Sequence, residues 1–510
     1  MDQCKTGKYI AQKRKELGLL QKDIALRLDI SEKTVSKWEC GKGLPEVVFM
    51  EPLCAILGIT VNELLTGEDI PLTKLIHSME ISRLELVKQL EFEQLKMRLY
   101  KLYEIEADSM ETSEYGAGGL TYFVTAGDRK YVVKYPSDNE MNHPDIEPNI
   151  CNELISQGIP ACRFIAGKNG NFVSTDENGR RFTVQHFIEG KTYDYNESST
   201  AMQIKSAAML ARIHVAMKNI KNIPCGINAD FFKFRTPEVT NSSYQNTLKQ
   251  AIDNGDIEIA EKIRSNMNVI STMPDFNFSA DKFTYGNTHG DYNISQLIWK
   301  EEQINAVIDW TCACSHPYIW EIVRSYVFMA PEVKLGEINI EALINYISVY
   351  LGYGKLNKYD IENAGNLFFY FIAVCDFYGQ YYNSITKNRY IYLKQADMAS
   401  KLLVWFRYNC DKLNKRLCEL SEYQRYKNKL QRFYDNQGRL IQYPVKKPMR
   451  EIALKKIAEC FKYGKKYTEK EVNAIILNNI AFSDYALIRR EMYQMKLIDR
   501  KSDGSEYWKE

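Results

Sequence analysis

The sequence predicts a multidomain chain: an all-α N-terminal domain, an α+β centre and a small, basic, winged C-terminal domain. Three observations lead there. Its 510 residues suffice for about three domains at roughly 150 residues each. Its charges are segregated: residues 1–70 carry 10 basic and 11 acidic side chains, 71–422 carry 37 and 43, and 423–510 carry 20 and 11. The net charge of +2 therefore conceals −1, −6 and +9. Finally, apolar spacing is helical up to about Tyr103, strand-like from about Glu111, and helical again after Ile146.

Composition excludes several classes. With 45% hydrophobic and 26% charged residues, disorder, collagen-like repeats and a disulfide scaffold are ruled out for the bulk of the chain. No apolar run approaches the ~20 residues of a membrane span, and MDQCKTGKYIAQKRKELG lacks the apolar core of a signal peptide. A cytoplasmic protein without a membrane partner is expected. The 12 cysteines include no C-x-x-C pair and the 6 histidines no zinc spacing, so reduced thiols are expected.

The N-terminal domain, residues 1–68, reads as short amphipathic helices. Tyr9 to Leu17 forms the first and Gly18 closes it. Gln21 to Leu28 forms the second, with Ile24, Ala25 and Leu28 on one face. After the turn Asp29-Ile30-Ser31, Ser31 caps a third helix, Glu32 to Glu39, which buries Val35 and Trp38 and faces Lys33, Thr34, Ser36 and Lys37 outward. Two helices on a tight turn, the second one polar, suit a DNA major groove. The segment QKDIALRLDISEKTVSKWECGKGLPE, continuing through ITVNELL, resembles the Xre/Cro helix-turn-helix repressors. The resemblance implies that Gln21 meets the phosphate backbone and that Glu32, Lys33, Thr34 and Lys37 contact base edges in an operator. Because affinity for DNA rests on phosphate neutralisation, the net −1 of this block predicts weak binding alone. A homodimer or a second basic surface would strengthen it.

Residues 69–106 read as a helical linker, Leu72 to Tyr103 having no internal glycine or proline. It is a rigid spacer or a dimerisation helix. Arg83 and Glu93 fall near the heptad seam, which favours the spacer.

In the central block, residues 107–420, a glycine-rich stretch (Tyr115 to Gly119) precedes a strand, a Gly127-Asp128 hairpin turn and the strand RKYVVKY. Gly116 and Gly118 would let backbone amides approach nucleotide phosphates, and Lys134 would reach the α/β-phosphates. Downstream, HGDYNISQLIW followed by AVIDW presents two carboxylates from neighbouring loops. One suits a hydroxyl proton, the other Mg²⁺ on the phosphates of ATP or GTP. These motifs resemble the aminoglycoside phosphotransferase-like kinases, which implies an α+β bilobal protein-kinase-like fold. The resemblance implies Asp291 as catalytic base, His289 as organiser of its loop, and Asp309 as metal ligand. It further implies that Glu147 pairs with Lys134 (Glu153 being second choice), that Gln185 and Phe187 belong to the hinge beside the purine, and that His214 has a core role. Where the family has a metal-binding Asn, this chain has Gln296, the same oxygen donor on a longer arm; Asn293 is a less well-placed substitute. For the acceptor, ten aromatics between Leu367 and Tyr392 surround Asp376. They read as helix core or as a cleft for a cationic amine or sugar, with Asp376 and Glu321 as candidate carboxylates.

Residues 425–510 follow a turn region at Asn436-Gln437-Gly438 and Pro444 to Pro448. Three helical segments and a hairpin turned at Asp503-Gly504 give a winged-helix order, with Thr468 to Glu471 as a capping box. KKYTEKEVN, DYALIRREM, LIDR and GSEYW resemble an uncharacterised bacterial C-terminal domain found on transcriptional regulators. Arg489, Arg490, Lys465, Lys466 and Lys470 would form its basic face.

The whole reads as a DNA-binding transcriptional regulator fused to a phosphotransferase that moves the γ-phosphate of ATP or GTP to a small-molecule hydroxyl. The rival is a regulator whose kinase-like domain senses a ligand or nucleotide without turnover. Gln296 divides the two readings.

Overall fold

The computed structural model describes residues 2–70, 72–113, 119–136, 146–384 and 389–509, the side chains of 72–87 excepted. The chain forms two compact units, Met1–Leu99 and Tyr100–Glu510. Gly116 and Gly118 lie outside the described residues, and of the linker-helix seam only the side chains from residue 88 onward are described.

The first unit holds α1 (Gln3–Glu16), α2 (Gln21–Leu28), α3 (Glu32–Glu39), α4 (Val47–Leu57) and α5 (Val61–Thr66). The long helix α6 (Leu72–Tyr103) begins in it. Helix ends follow local chemistry. Asp29 takes the left-handed conformation at the end of α2 (φ 54°), and the Ser31 hydroxyl accepts the Thr34 amide at 3.2 Å to start α3. Ile10, Ile24, Leu28, Val35, Trp38, Leu53, Leu57 and Leu64 form the core, so the outer face of α3 stays polar.

The second unit opens with β1 (Ser109–Thr112), β2 (Leu120–Ala126), β3 (Arg129–Tyr135), α7 (Ile146–Ser156), β4 (Val173–Thr175) and β5 (Arg181–His186). The strands form an antiparallel sheet ordered β1-β2-β3-β5-β4. A helical lobe follows: α8 (Thr200–Ala216), α9 (Ala229–Phe234), α10 (Pro237–Asp253) and α11 (Ile257–Thr272). Next come two short ladders, β6 (Tyr285–Thr288) with β9 (Cys314–Pro317) and β7 (Leu297–Lys300) with β8 (Gln303–Val307). The lobe continues with α12 (Tyr318–Val327), α13 (Ile340–Tyr350), α14 (Lys358–Glu362), α15 (Ala364–Ala373), α16 (Phe377–Asn383) and α17 (Tyr390–Leu430). This is the bilobal α+β arrangement expected. The central core collects Tyr292, Trp310, Tyr326, Phe368 and Phe406, among others.

The expected break between residues 420 and 425 does not occur. Helix α17 runs unbroken for 41 residues, because no glycine or proline interrupts it. Its Leu413, Leu417 and Leu420 join the central core, whereas Leu430 joins a second core with Leu454, Ile457, Ile476 and Met492. That second core belongs to α18 (Lys447–Ala458), β10 (Lys466–Tyr467), α19 (Glu469–Asn479), α20 (Tyr485–Gln494), β11 (Asp499–Arg500) and β12 (Tyr507–Trp508). Thr468 and Glu471 form the expected capping box on α19. The wing gains a third strand, in the order β10-β12-β11, since Lys466 and Tyr467 pair with β12.

Candidate functional sites

In the first unit, Glu32, Lys33 and Lys37 are exposed on α3 and Thr34 is half-buried, its hydroxyl bonded to that of Ser31 at 2.8 Å. What holds α3 in place is an ion pair that the sequence did not announce. Arg14 donates to Glu39 through Nε (2.5 Å) and Nη2 (2.9 Å) and to the Leu19 carbonyl through Nη1 (2.7 Å). Gln21 adds its amide to Glu39 at 2.7 Å, which fixes the orientation of the side chain expected at the phosphate backbone. Burial opposes the Glu39 charge, yet Arg14 and Gln21 outweigh it and hold the carboxyl below its ordinary range.

In the second unit, the loop between β6 and β7 carries His289 to Gln296 and the residue after Ile308 is Asp309. His289 is fully buried. Its Nε2 bonds the Ile308 carbonyl at 2.9 Å and its Nδ1 accepts the Asp291 amide at 3.3 Å. The ring thus ties the Asp291 loop to the Asp309 turn. A second tie joins the Ile308 amide to the Gln296 carbonyl at 3.0 Å. Gly290 has φ +80°, and a Cβ there would stand 1.9 Å from the Cys312 carbonyl oxygen, so glycine is required.

Asp291 receives donors on both oxygens: the Gln296 amide at 3.1 Å on Oδ2 and Arg324 on Oδ1. Asp309 sits in the left-handed region (φ 63°) and pairs with Lys134 Nζ at 2.5 Å. Burial works against its charge, but the Lys134 ammonium prevails and keeps the carboxyl below its ordinary range. Glu147, also buried, accepts the Trp310 amide at 3.0 Å, whereas Glu153 is exposed and bonds Gln157. Lys134, Glu147, Asp291, Gln296 and Asp309 therefore converge on one site. Among the described residues no cluster of three or more His, Cys, Asp or Glu side chains could hold a metal. Asp309 and Gln296 each offer a hard oxygen, the donor type that Mg²⁺ takes. Asn293 does not fit: it is fully buried, and its amide is used by the Asp291 carbonyl and by Ser295.

At the position expected for the hinge, Gln185 is buried on β5 opposite Val132. The Phe187 amide donates to the Lys130 carbonyl at 3.0 Å, and its ring meets Phe123 edge-on at 5.9 Å.

Two expected acceptor carboxylates are not acceptor groups. Glu321 is fully buried, and it accepts His214 Nε2 at 2.7 Å, the Gly290 amide at 2.5 Å and the His289 amide at 3.3 Å. It braces the Asp291 loop from below. His214 itself has the expected core role, bonded also to Tyr350 at 2.8 Å and stacked on Tyr318. Asp376 caps α16 through the Gly379 amide (2.7 Å) and binds the Ser243 and Thr247 hydroxyls of α10 (2.8 and 2.6 Å). Much of the aromatic run is helix core, with Phe368, Phe369 and Tyr378 buried. The sequence reading missed Arg324. Its one signal is the pair Glu321 and Arg324, one turn apart in the otherwise apolar helix YIWEIVRSYV.

On the C-terminal domain, Lys470 and Arg490 are exposed. Arg489 is drawn into a pair with Glu469 at 2.6 Å, and Lys466 pairs with Glu506 at 2.9 Å.

Comparison with known proteins agrees with this division. Residues 114–354 match the phosphotransferase enzyme family. Residues 10–64 match a helix-turn-helix family, and residues 439–509 match a family described as an uncharacterised protein conserved in bacteria. The HTH-type transcriptional activator BcrR of Enterococcus faecalis is 33% identical over 70 residues, 14% of this chain. The chain spans only 30% of that relative's length. Among solved structures, a spectinomycin phosphotransferase in complex with ADP and spectinomycin is 17% identical, with 65% of this chain and 97% of that one covered at TM-score 0.42. A microcompartment-associated aminopropanol kinase is 13% identical, with 64% and 99% covered at TM-score 0.45. The chain thus joins a segment that matches a helix-turn-helix family model to one that matches a phosphotransferase family model. No helix among the described residues is long and apolar enough to cross a membrane.

Proposed function

We propose that this protein binds operator DNA through α3 and transfers the γ-phosphoryl group of ATP or GTP to the hydroxyl of a small molecule. One observation carries the catalytic half: Asp291 and Asp309 stand on adjoining turns tied through His289, with Lys134 on Asp309. In the reaction, Asp291 takes the proton of the acceptor hydroxyl as its oxygen bonds to the γ-phosphorus. The bond from that phosphorus to the bridging β,γ-oxygen breaks and the nucleoside diphosphate leaves. A Mg²⁺ ion bound with the nucleotide would supply charge neutralisation on the phosphates. Asp309 and the Gln296 carbonyl oxygen would hold it, and Lys134 would turn to the phosphates once they compete for its charge. Label transfer from γ-labelled ATP by wild type, lost in Asp291→Asn with nucleotide binding kept, is the expected result.

A second reading, a sensor without turnover, is favoured by the donors that occupy both oxygens of Asp291. Nucleotide binding with no transfer to any hydroxyl acceptor would establish it. For the regulator half, the exposed polar face of α3 is the support. Retardation of the chain's own upstream DNA, lost in Lys33→Ala/Lys37→Ala, is expected. A homodimer and the +9 C-terminal block would supply the phosphate attraction that the first block lacks.

A further inference from the structure

Arg324 lies on α12 one turn after Glu321, and its guanidinium is paired with Asp291 Oδ1. Gln296, on the metal-binding side of the reading above, occupies Oδ2. The guanidinium therefore holds the carboxylate oxygen that Gln296 leaves free, next to the group that would take the acceptor's proton. It rests on the Phe328 ring at 4.6 Å and beside Trp320 at 5.9 Å. Its Nη1 is buried and has no hydrogen-bond partner among the described residues. A buried donor left unmade costs about 1–3 kcal/mol, and an incoming hydrogen-bond acceptor would recover that cost. Tyr195 closes the same corner: its ring meets Phe328 edge-on at 5.3 Å, and its phenol lies within the influence of Asp291 and Ser295. Burial first, and then the charge of Asp291, push that phenol up to about 12, which keeps it a neutral donor. The two carboxylates that would have served a cationic acceptor, Glu321 and Asp376, are committed elsewhere.

We infer that Arg324 Nη1 is an anion subsite, and that the acceptor is a small hydroxyl compound bearing a carboxylate or phosphate rather than a polycation. This rests on the phosphotransfer reading for its biological role, though not for the binding itself. The acceptor's anion engages the guanidinium through charge-assisted hydrogen bonds while its hydroxyl faces Asp291. As the anion draws on the guanidinium, Asp291 Oδ1 becomes available to the hydroxyl proton. Arg324 is thus a binding residue that selects the acceptor by charge.

The test uses the full chain with ADP and Mg²⁺. The probes are 3-hydroxybutyrate and glycerol 3-phosphate, their uncharged counterparts 1,3-butanediol and glycerol, and kanamycin as polycation. Calorimetry measures binding, and transfer from γ-labelled ATP measures turnover, with circular dichroism confirming that each variant folds. At least one anion is expected to bind more tightly than its uncharged counterpart. Arg324→Gln should weaken it at least ~10-fold, about one charge-assisted bond, and Arg324→Lys should restore part. The ratio of kcat/KM for anionic over uncharged acceptors should fall by the same factor. No binding of either anion, or preferential binding of kanamycin, overturns the inference. So does an Arg324→Gln variant that lowers kcat equally for every acceptor and leaves KM alone, which would assign the guanidinium to the transferring phosphoryl group. The two readings separate cleanly. Arg324-dependent anion binding without label transfer supports the subsite and removes phosphotransfer; label transfer confined to kanamycin does the reverse.

Discussion

Glu321→Leu is the substitution that most directly tests how the Asp291 loop is held. The carboxylate is fully buried and serves three donors: His214 Nε2 and the amides of His289 and Gly290. Leucine removes all three acceptances. At about 1–3 kcal/mol for each buried donor left unmade, and with partial relaxation, the second unit should lose about 3–5 kcal/mol. That also matches the usual loss when one partner of a buried ionic pair is removed. It is a large share of the ~5–15 kcal/mol that stabilises a typical domain. Urea unfolding followed by tryptophan emission measures it, since Trp299, Trp310 and Trp320 sit in this core. Glu321→Gln keeps an acceptor for the amides and should lose only about 1 kcal/mol, as His214 can switch tautomer. The pH dependence has a defined sign. Burial raises the Glu321 pKa, but the bond to His214 and the surrounding imidazoles outweigh it, so the folded value lies below the ordinary one. The stabilisation is therefore fully present above ~pH 4.3 and disappears as pH falls through the folded value. The gap between wild type and the leucine variant should be constant from neutrality to about pH 5 and close below that. A gap under ~0.5 kcal/mol at neutral pH, the scale of an ordinary surface substitution, would refute the bracing role; so would a gap that widens on acidification.

Three further outcomes follow from the same geometry. Gly290→Ala forces a β-carbon onto the Cys312 carbonyl at φ +80°, which should displace Asp291 and reduce phosphotransfer by about 10²-fold; DNA retardation by the same variant should be intact. Trp38→Ala empties the centre of the small N-terminal core and should cost about 3–5 kcal/mol, seen as loss of DNA retardation with nucleotide binding kept. Lys37→Ala alone should weaken DNA binding. A shallower salt dependence, by about one unit of slope, would mark Lys37 as a phosphate contact, and an unchanged slope with relaxed sequence preference as a base contact.

Much of this was legible in the sequence because it is local. Helix α2 at Gln21–Leu28 and helix α3 at Glu32–Glu39 announce themselves through spacing and the Ser31 cap. The capping box at Thr468 and the hairpin turn at Gly127 do the same, since a turn of helix or a tight turn is specified within four residues. The Asp291 and Asp309 loops were found by motif for a similar reason: each is contiguous along the chain. Continuity of α17 is also written there, in the absence of any breaker from Tyr390 to Leu430, although the charge changes sign near residue 423, inside that helix.

Tertiary structure decided where charged side chains end. Glu321 and Asp376 read alike in the sequence, as acids among aromatics, yet one braces a loop 31 residues away and the other caps a helix and holds α10. Arg324 meets Asp291 across 33 residues, and Arg14 meets Glu39 across 25. Hydrophobic spacing says which face of a helix is buried. Which donor a buried charge finds depends on what the other elements bring to it, because an ionic group taken from water must be met through space, by whichever residues the packing places within about 3 Å.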